Sequence, residues 1–199
     1  YRSRYAIFYG NMTVISSTIS IRHSEIKGNV LGQNTIFENS VNFEGTNFGG
    51  DVEFHDSIFN NSTIFSGSEF NGNASFSYSR FNGLADFSYT EFTKDAMFYS
   101  SQFNSLAEFS GAEFDDDVYF TRSIFNGIVD FGKEIVVSTS TLADLSVSFE
   151  DDLLARTWFN GDAYFDSSEF NKIAYFIRNQ FAKEINFRGT VFRGGTDFN

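Results

Sequence analysis

Cysteine is absent, and with it disulfides, thiolate metal sites and cysteine nucleophiles. That leaves the compartment open, because exported proteins can do without disulfides. Proline is absent too, and leucine is scarce. No apolar run approaches the ~18–20 residues of a membrane span, and no signal peptide is visible. The opening Tyr1-Arg2-Ser3-Arg4, without Met, is what a processed or excised chain would show, one that has lost a leader or anchor. Positive charge is in short supply: 14 Lys and Arg stand against 26 Asp and Glu, a formal net charge of −12. Such a chain repels free DNA and RNA, whose binding rests on neutralising phosphates. It suits solubility, a basic partner, or imitation of nucleic acid.

What the chain has instead is phenylalanine, 28 of them in 199 residues, with 9 Tyr and a single Trp. From Phe37 to Phe131 the phenylalanines recur at alternating steps of six and five, a true period of 11. Ile15, Ile21 and Ile26 extend the grid backwards, with Gly32 as its one empty slot. It resumes from Phe159 to Phe198, shifted by one residue.

A second register supports the first. Two residues before each central Phe stands a small or β-branched residue: Ser57, Ser68, Ser79, Thr90, Ser101 and Ser123 before the five-step Phe, and Val52, Thr63, Ala74, Ala85, Ala96 and Ala107 before the six-step Phe. Small, outward, large is a strand period of two, so the small residue and the Phe point inward and the residue between them points out. Asn71-Gly72, Asn82-Gly83 and Asn126-Gly127 follow the Phe as corners, since Asn and Gly tolerate left-handed backbone. Corners inside every repeat exclude a helical reading.

The units Phe81-Asn-Gly-Leu-Ala-Asp-Phe87 and Phe87-Ser-Tyr-Thr-Glu-Phe92 resemble pentapeptide-repeat proteins, in a Phe-rich form that mixes five- and six-residue steps. The resemblance spans about residues 15–131 and 159–198. It implies an all-β, right-handed quadrilateral β-helix with four short faces per coil and 22 residues in each, about eight coils in all. Four Phe ladders would then run along the rod at the ~4.8 Å strand spacing, with rings stacked at an offset. The whole chain, 1–199, reads as one solenoid domain: an irregular segment 1–14, regular coils 15–131, a degenerate coil or loop insertion at 132–158, and regular coils 159–199. A short amphipathic helix across 143–158 is the alternative for the interruption.

On this grid the outward residues stack every 22 positions. One face reads Asn42, Ile64, Asp86, Glu108, Asp130, and the next Asn47, Glu69, Glu91, Glu113. These are acidic ladders, fit for a basic partner or simply for solubility. The third face reads Glu53, Ser75, Met97, Tyr119 and the fourth Ile58, Arg80, Gln102, Ile124, with Tyr78, Tyr89 and Tyr99 close by in sequence. Exposed Met97, Tyr119, Ile58 and Ile124 are candidate packing surfaces, set against scattered surface apolars. Asn60, Asn82, Asn104 and Asn126 share a corner and are expected to form a structural amide ladder.

Signals for chemistry are poor. His23 and His55 have no motif around them. Gly127-Ile-Val-Asp-Phe-Gly-Lys133 falls short of a phosphate loop because Glu134 stands where Ser or Thr belongs. Asp115-Asp116-Asp117 and Glu150-Asp151-Asp152 lack calcium-loop spacing. No catalytic residue, cofactor or metal is therefore expected. Sequons at Asn11, Asn60, Asn61 and Asn73 lean towards export, so an extracellular or cell-surface setting is favoured over the cytoplasm.

The expectation is a non-enzymatic structural or protein-interaction module. It would self-associate through its solenoid ends or apolar faces, as a cell-surface, filament or sheath component does. A protein partner is open; direct nucleic-acid binding and a membrane span are not expected. The resemblance supplies an alternative, since some pentapeptide-repeat proteins imitate duplex DNA and act on DNA gyrase. The 5/6 alternation and the Phe in place of Leu depart from that pattern.

Overall fold

A computed structural model describes residues 12–132 and 156–198. Those residues form four parallel sheets built from strands of two or three residues. In chain order round the coil, the first sheet runs from Ile19–Ser20 to Thr196–Asp197, with eight strands. The second runs from Glu25–Ile26 to Gln180–Phe181 and the third from Val30–Leu31 to Ile185–Asn186, with seven each. The fourth runs from Thr13–Ile15 to Val191–Phe192, again with eight. The chain is a four-sided β-solenoid of between seven and eight turns over these residues.

The register is the one the phenylalanines set: Ala74 pairs with Ala96, Phe81 with Phe103, and Phe70 with Phe92. A strand this short cannot hold itself together. Its N–H and C=O groups are satisfied by the coils above and below, as in Phe87 N–H to Glu108 O at 2.7 Å.

Inside, each Phe stacks on its counterpart one coil away. Phe76–Phe98 and Phe98–Phe120 have centroids 5.2 and 4.8 Å apart and planes within 8° and 7°. Neighbouring columns meet edge to face, as Phe76 and Phe87 do at 76°. Both arrangements suit the ring quadrupole, and burying each ring contributes roughly 1.5–3 kcal/mol. Alanines between the columns leave room for the rings. At Gly32 the space is taken by Phe54, whose ring lies 2.5 Å from where a Cβ would stand.

The two step lengths make different corners. In the five-residue steps the third residue of the turn is left-handed: Gly45, Gly67, Tyr78, Ser100 and Arg122 have φ of 62°, 63°, 60°, 53° and 60°. The following N–H closes onto the Phe carbonyl, as Ser79 does onto Phe76 at 3.3 Å, in the manner of a type II turn. The six-residue steps have an extra residue and need no left-handed one. The Asn-Gly corners therefore do not supply positive φ. Their glycines are required by closeness: a Cβ on Gly127 would lie 1.9 Å from the Ser105 carbonyl oxygen.

The expected coil, loop or helix at 132–158 lies, for residues 133–155, outside the described residues. What is described is the join around it. Phe114 stacks on Phe159 at 5.2 Å, Phe120 on Phe165 at 5.1 Å and Phe131 on Phe176 at 4.9 Å. Glu113 pairs directly with Trp158. Contacts that span 22 residues elsewhere span 45 here, as the asparagine ladder shows. Residues 133–155 therefore lie in sequence between two consecutive sides of one coil, the strands Val129–Asp130 and Trp158–Phe159, and that coil stacks directly on the one before it. This explains the one-residue shift in the phenylalanine grid, because the inserted length is one more than a whole coil.

Candidate interaction surfaces

The ladders inside position everything outside. Because each inward column is fixed, the residues between them stack every coil on a flat face. The second sheet brings Glu69, Glu91 and Glu113 into one register. Partial burial and the neighbouring carboxylates Glu69, Asp115 and Glu113 push the Glu91 carboxyl above its ordinary range. Amides ease the ends of the stack: Asn47 Nδ2 donates to Glu69 at 2.6 Å, and Asn160 Nδ2 bridges Glu113 and Asp115 at 3.1 and 3.0 Å. The acidic run then gives way to Trp158 and Gln180.

On the first sheet Asp86, Glu108 and Asp130 are register neighbours. Asp130 corrects the expectation of an outward ladder: it is 4 % exposed, and its Oδ1 accepts the Gly132 N–H at 2.9 Å. Asp86 accepts the Ser88 N–H in the same way at 3.0 Å, but remains half-buried.

The apolar candidates separate. Met97 and Tyr119 are paired on the third sheet, and Tyr119 pairs in turn with Tyr164. Ile58 and Ile124 lie on the fourth sheet with Arg80 and Gln102 between them, so they form no patch. Tyr99 joins the third-sheet group by stacking on Tyr119, while Tyr78 and Tyr89 stand exposed at left-handed corners. Asn60, Asn82, Asn104 and Asn126 form a continuous amide ladder, with bonds of 2.9, 2.7 and 2.8 Å, carried on by Asn171 at 2.8 Å.

Three further columns carried no hydrophobic signal. Buried Ser and Thr hydroxyls donate to the Phe carbonyl of the previous coil: Ser79 to Phe54, Ser101 to Phe76, Ser68 to Phe43 and Thr90 to Phe65. Asn29, Asp51, Asp117 and Asp162 each accept the backbone N–H of the same position one coil on, at 2.9–3.1 Å. All three columns were visible as residue types recurring at 22; only their hydrogen bonds were not.

A shallow groove of about 260 Å³ opens on the third sheet between Asp51, Glu53, His55, Asn73, Ser75 and Met97. His55 sits 2.9 Å from Asp56 and 3.6 Å from Glu53. Among the described residues no group of three or more His, Cys, Asp or Glu is placed to hold a metal ion. Among the described residues there is no helix long and apolar enough to cross a membrane.

A parallel four-sided solenoid with filled interior and ladder-bearing faces is a scaffold of the structural or protein-interaction class. The family model for pentapeptide repeats (9 copies) matches at residues 54–102, 65–112 and 87–133. Over these residues the chain is similar to pentapeptide-repeat proteins, and the same four parallel sheets continue on either side of them. No curated protein and no solved structure matches the chain.

Proposed function

We propose that this solenoid is a non-enzymatic structural or protein-interaction module that self-associates through its solenoid ends or apolar faces, as a component of a cell surface, filament or sheath. One observation carries the reading: strands of two or three residues take their backbone hydrogen bonds from the coils on either side, so a coil that lacks a neighbour is a template for more of the same structure. Sedimentation velocity across a concentration series tests it: a dimer or longer species that disappears in Phe198→Lys is expected, and a monomer throughout would sink the idea.

A second reading rests on the Glu69–Glu91–Glu113 stack, which presents regularly spaced negative charge. It makes the face an imitation of nucleic acid for an enzyme such as DNA gyrase. A supercoiling assay decides it, with inhibition relieved by replacing those three glutamates by glutamine.

A further inference from the structure

The third sheet holds a surface that end-to-end stacking does not use. Tyr99, Tyr119 and Tyr164 form an external stack with centroids 5.0 Å apart at both contacts. Met97 lies beside it in register with Tyr119. All four side chains are half-buried, so the strip is supported from below and open above. Four carboxylates border it: Asp95, Asp117, Asp162 and Asp166.

These carboxylates are held in place without being neutralised. Asp117 accepts the Asp162 N–H at 2.9 Å on one oxygen and the Tyr119 hydroxyl at 3.1 Å on the other. Asp162 accepts the Glu184 N–H at 3.0 Å and the Tyr164 hydroxyl at 3.2 Å. Asp166 accepts the Thr121 hydroxyl at 2.7 Å. None of the four makes an ion pair among the described residues. Burial first, and then the nearby carboxylates, push the Tyr99 and Tyr119 hydroxyls above their ordinary range. Beyond Met97 the strip runs into the groove lined by Asp51 and Glu53, which has no Lys or Arg in its wall.

An apolar, aromatic strip between fixed anions suits a cation with an apolar stem. Nucleic acid is repelled by it. Arginine fits better than lysine, because its planar fork bonds carboxylates two at a time and lies against aromatic groups. We propose that this face docks an arginine-rich extended segment of a partner protein, with guanidinium groups on Asp95, Asp117 and Asp162 and their stems on Met97 and the tyrosine stack. The proposal rests on the reading of the chain as an interaction module, but not on end stacking.

The probe is a fluorescent synthetic peptide alternating arginine and valine, followed by anisotropy. Asp95→Asn, Asp117→Asn and Asp162→Asn together remove the charge while keeping the acceptor, since Asn29 already plays that part in the same column. Tyr119→Ser with Tyr164→Ser removes the stack, and Ser75 shows that the third sheet accepts serine there. Each set should weaken binding about tenfold. The same charge change on the opposite sheet, through Glu44→Gln, Asp86→Asn and Glu108→Gln, should cost less than about twofold. No binding, or equal losses from the two charge sets, would overturn the proposal, since the second result means attraction to net charge alone. Phe198→Lys should leave the affinity unchanged, which separates this surface from the end.

Discussion

Phe98 and Phe187 occupy the same column of the same ladder, yet they live differently. Phe98 has Phe76 beneath it and Phe120 above, and is fully buried. Phe187 stacks on Phe165 at 5.0 Å and stays half-buried in the last described coil. The residue type, inward direction and turn chemistry are the same. The difference shows that a rung is stabilised by its neighbours rather than by its own coil, the nearest-neighbour logic of repeat proteins.

That contrast can be broken most forcefully by truncation. Phe98→Ala should cost about 3–5 kcal/mol of unfolding free energy, and Phe187→Ala clearly less, measured by chemical denaturation at low protein concentration. If copies stack end to end, the Phe187→Ala cost should grow with protein concentration and the Phe98→Ala cost should not. Next comes the corner spacing. Gly127→Ala forces a Cβ into the Ser105 carbonyl and should cost about 1–3 kcal/mol or more. Gly195→Ala meets nothing nearer than Ile173 at 3.8 Å and should be nearly silent in the same melts.

A smaller effect should run the other way. Ala112 takes the place in its column held by Thr46, Ser68, Thr90 and Thr157, each of which donates to the carbonyl one coil back. Ala112→Ser restores a donor towards the Phe87 carbonyl and should add about 0.5–1.5 kcal/mol. The smallest effect concerns the acidic stack, which the enclosed coils have and the last coil lacks. The Glu91 carboxyl is raised in the folded state, so folding favours its protonated form. Stability should therefore rise as pH falls from neutral through its folded pKa. Glu91→Gln should raise the melting temperature at pH 7, less so in high salt, and the gain should vanish at acid pH.

The solenoid and its four ladders were legible because burial writes itself into sequence as a period, and here the residue repeated is the most conspicuous one available. The outward registers followed from the same period, which is why Glu69, Glu91 and Glu113 could be placed on one face. Asp130 was placed on the outward face by the same period, but a period sets direction and not what covers a side chain, and Asp130 is buried. The corners were misassigned for a related reason. Asn-Gly is a general turn signal, whereas the left-handed residue here is whatever stands third in the five-residue step, Tyr78 and Arg122 included. The tyrosine stack depended on a contact between a strand residue, Tyr119, and a corner residue, Tyr99, which no single register contains.

The most direct test of the ladder architecture is deletion of residues 133–155, joining Gly132 to Arg156. The join reads Phe131-Gly132-Arg156-Thr157-Trp158-Phe159, an ordinary five-residue step with Thr in the small position. If Phe114 and Phe159 already lie in adjacent coils, the shortened chain should keep its circular dichroism spectrum and melt cooperatively within a few degrees of the parent. Loss of the cooperative transition, or separate melting of the two halves, would contradict a continuous solenoid.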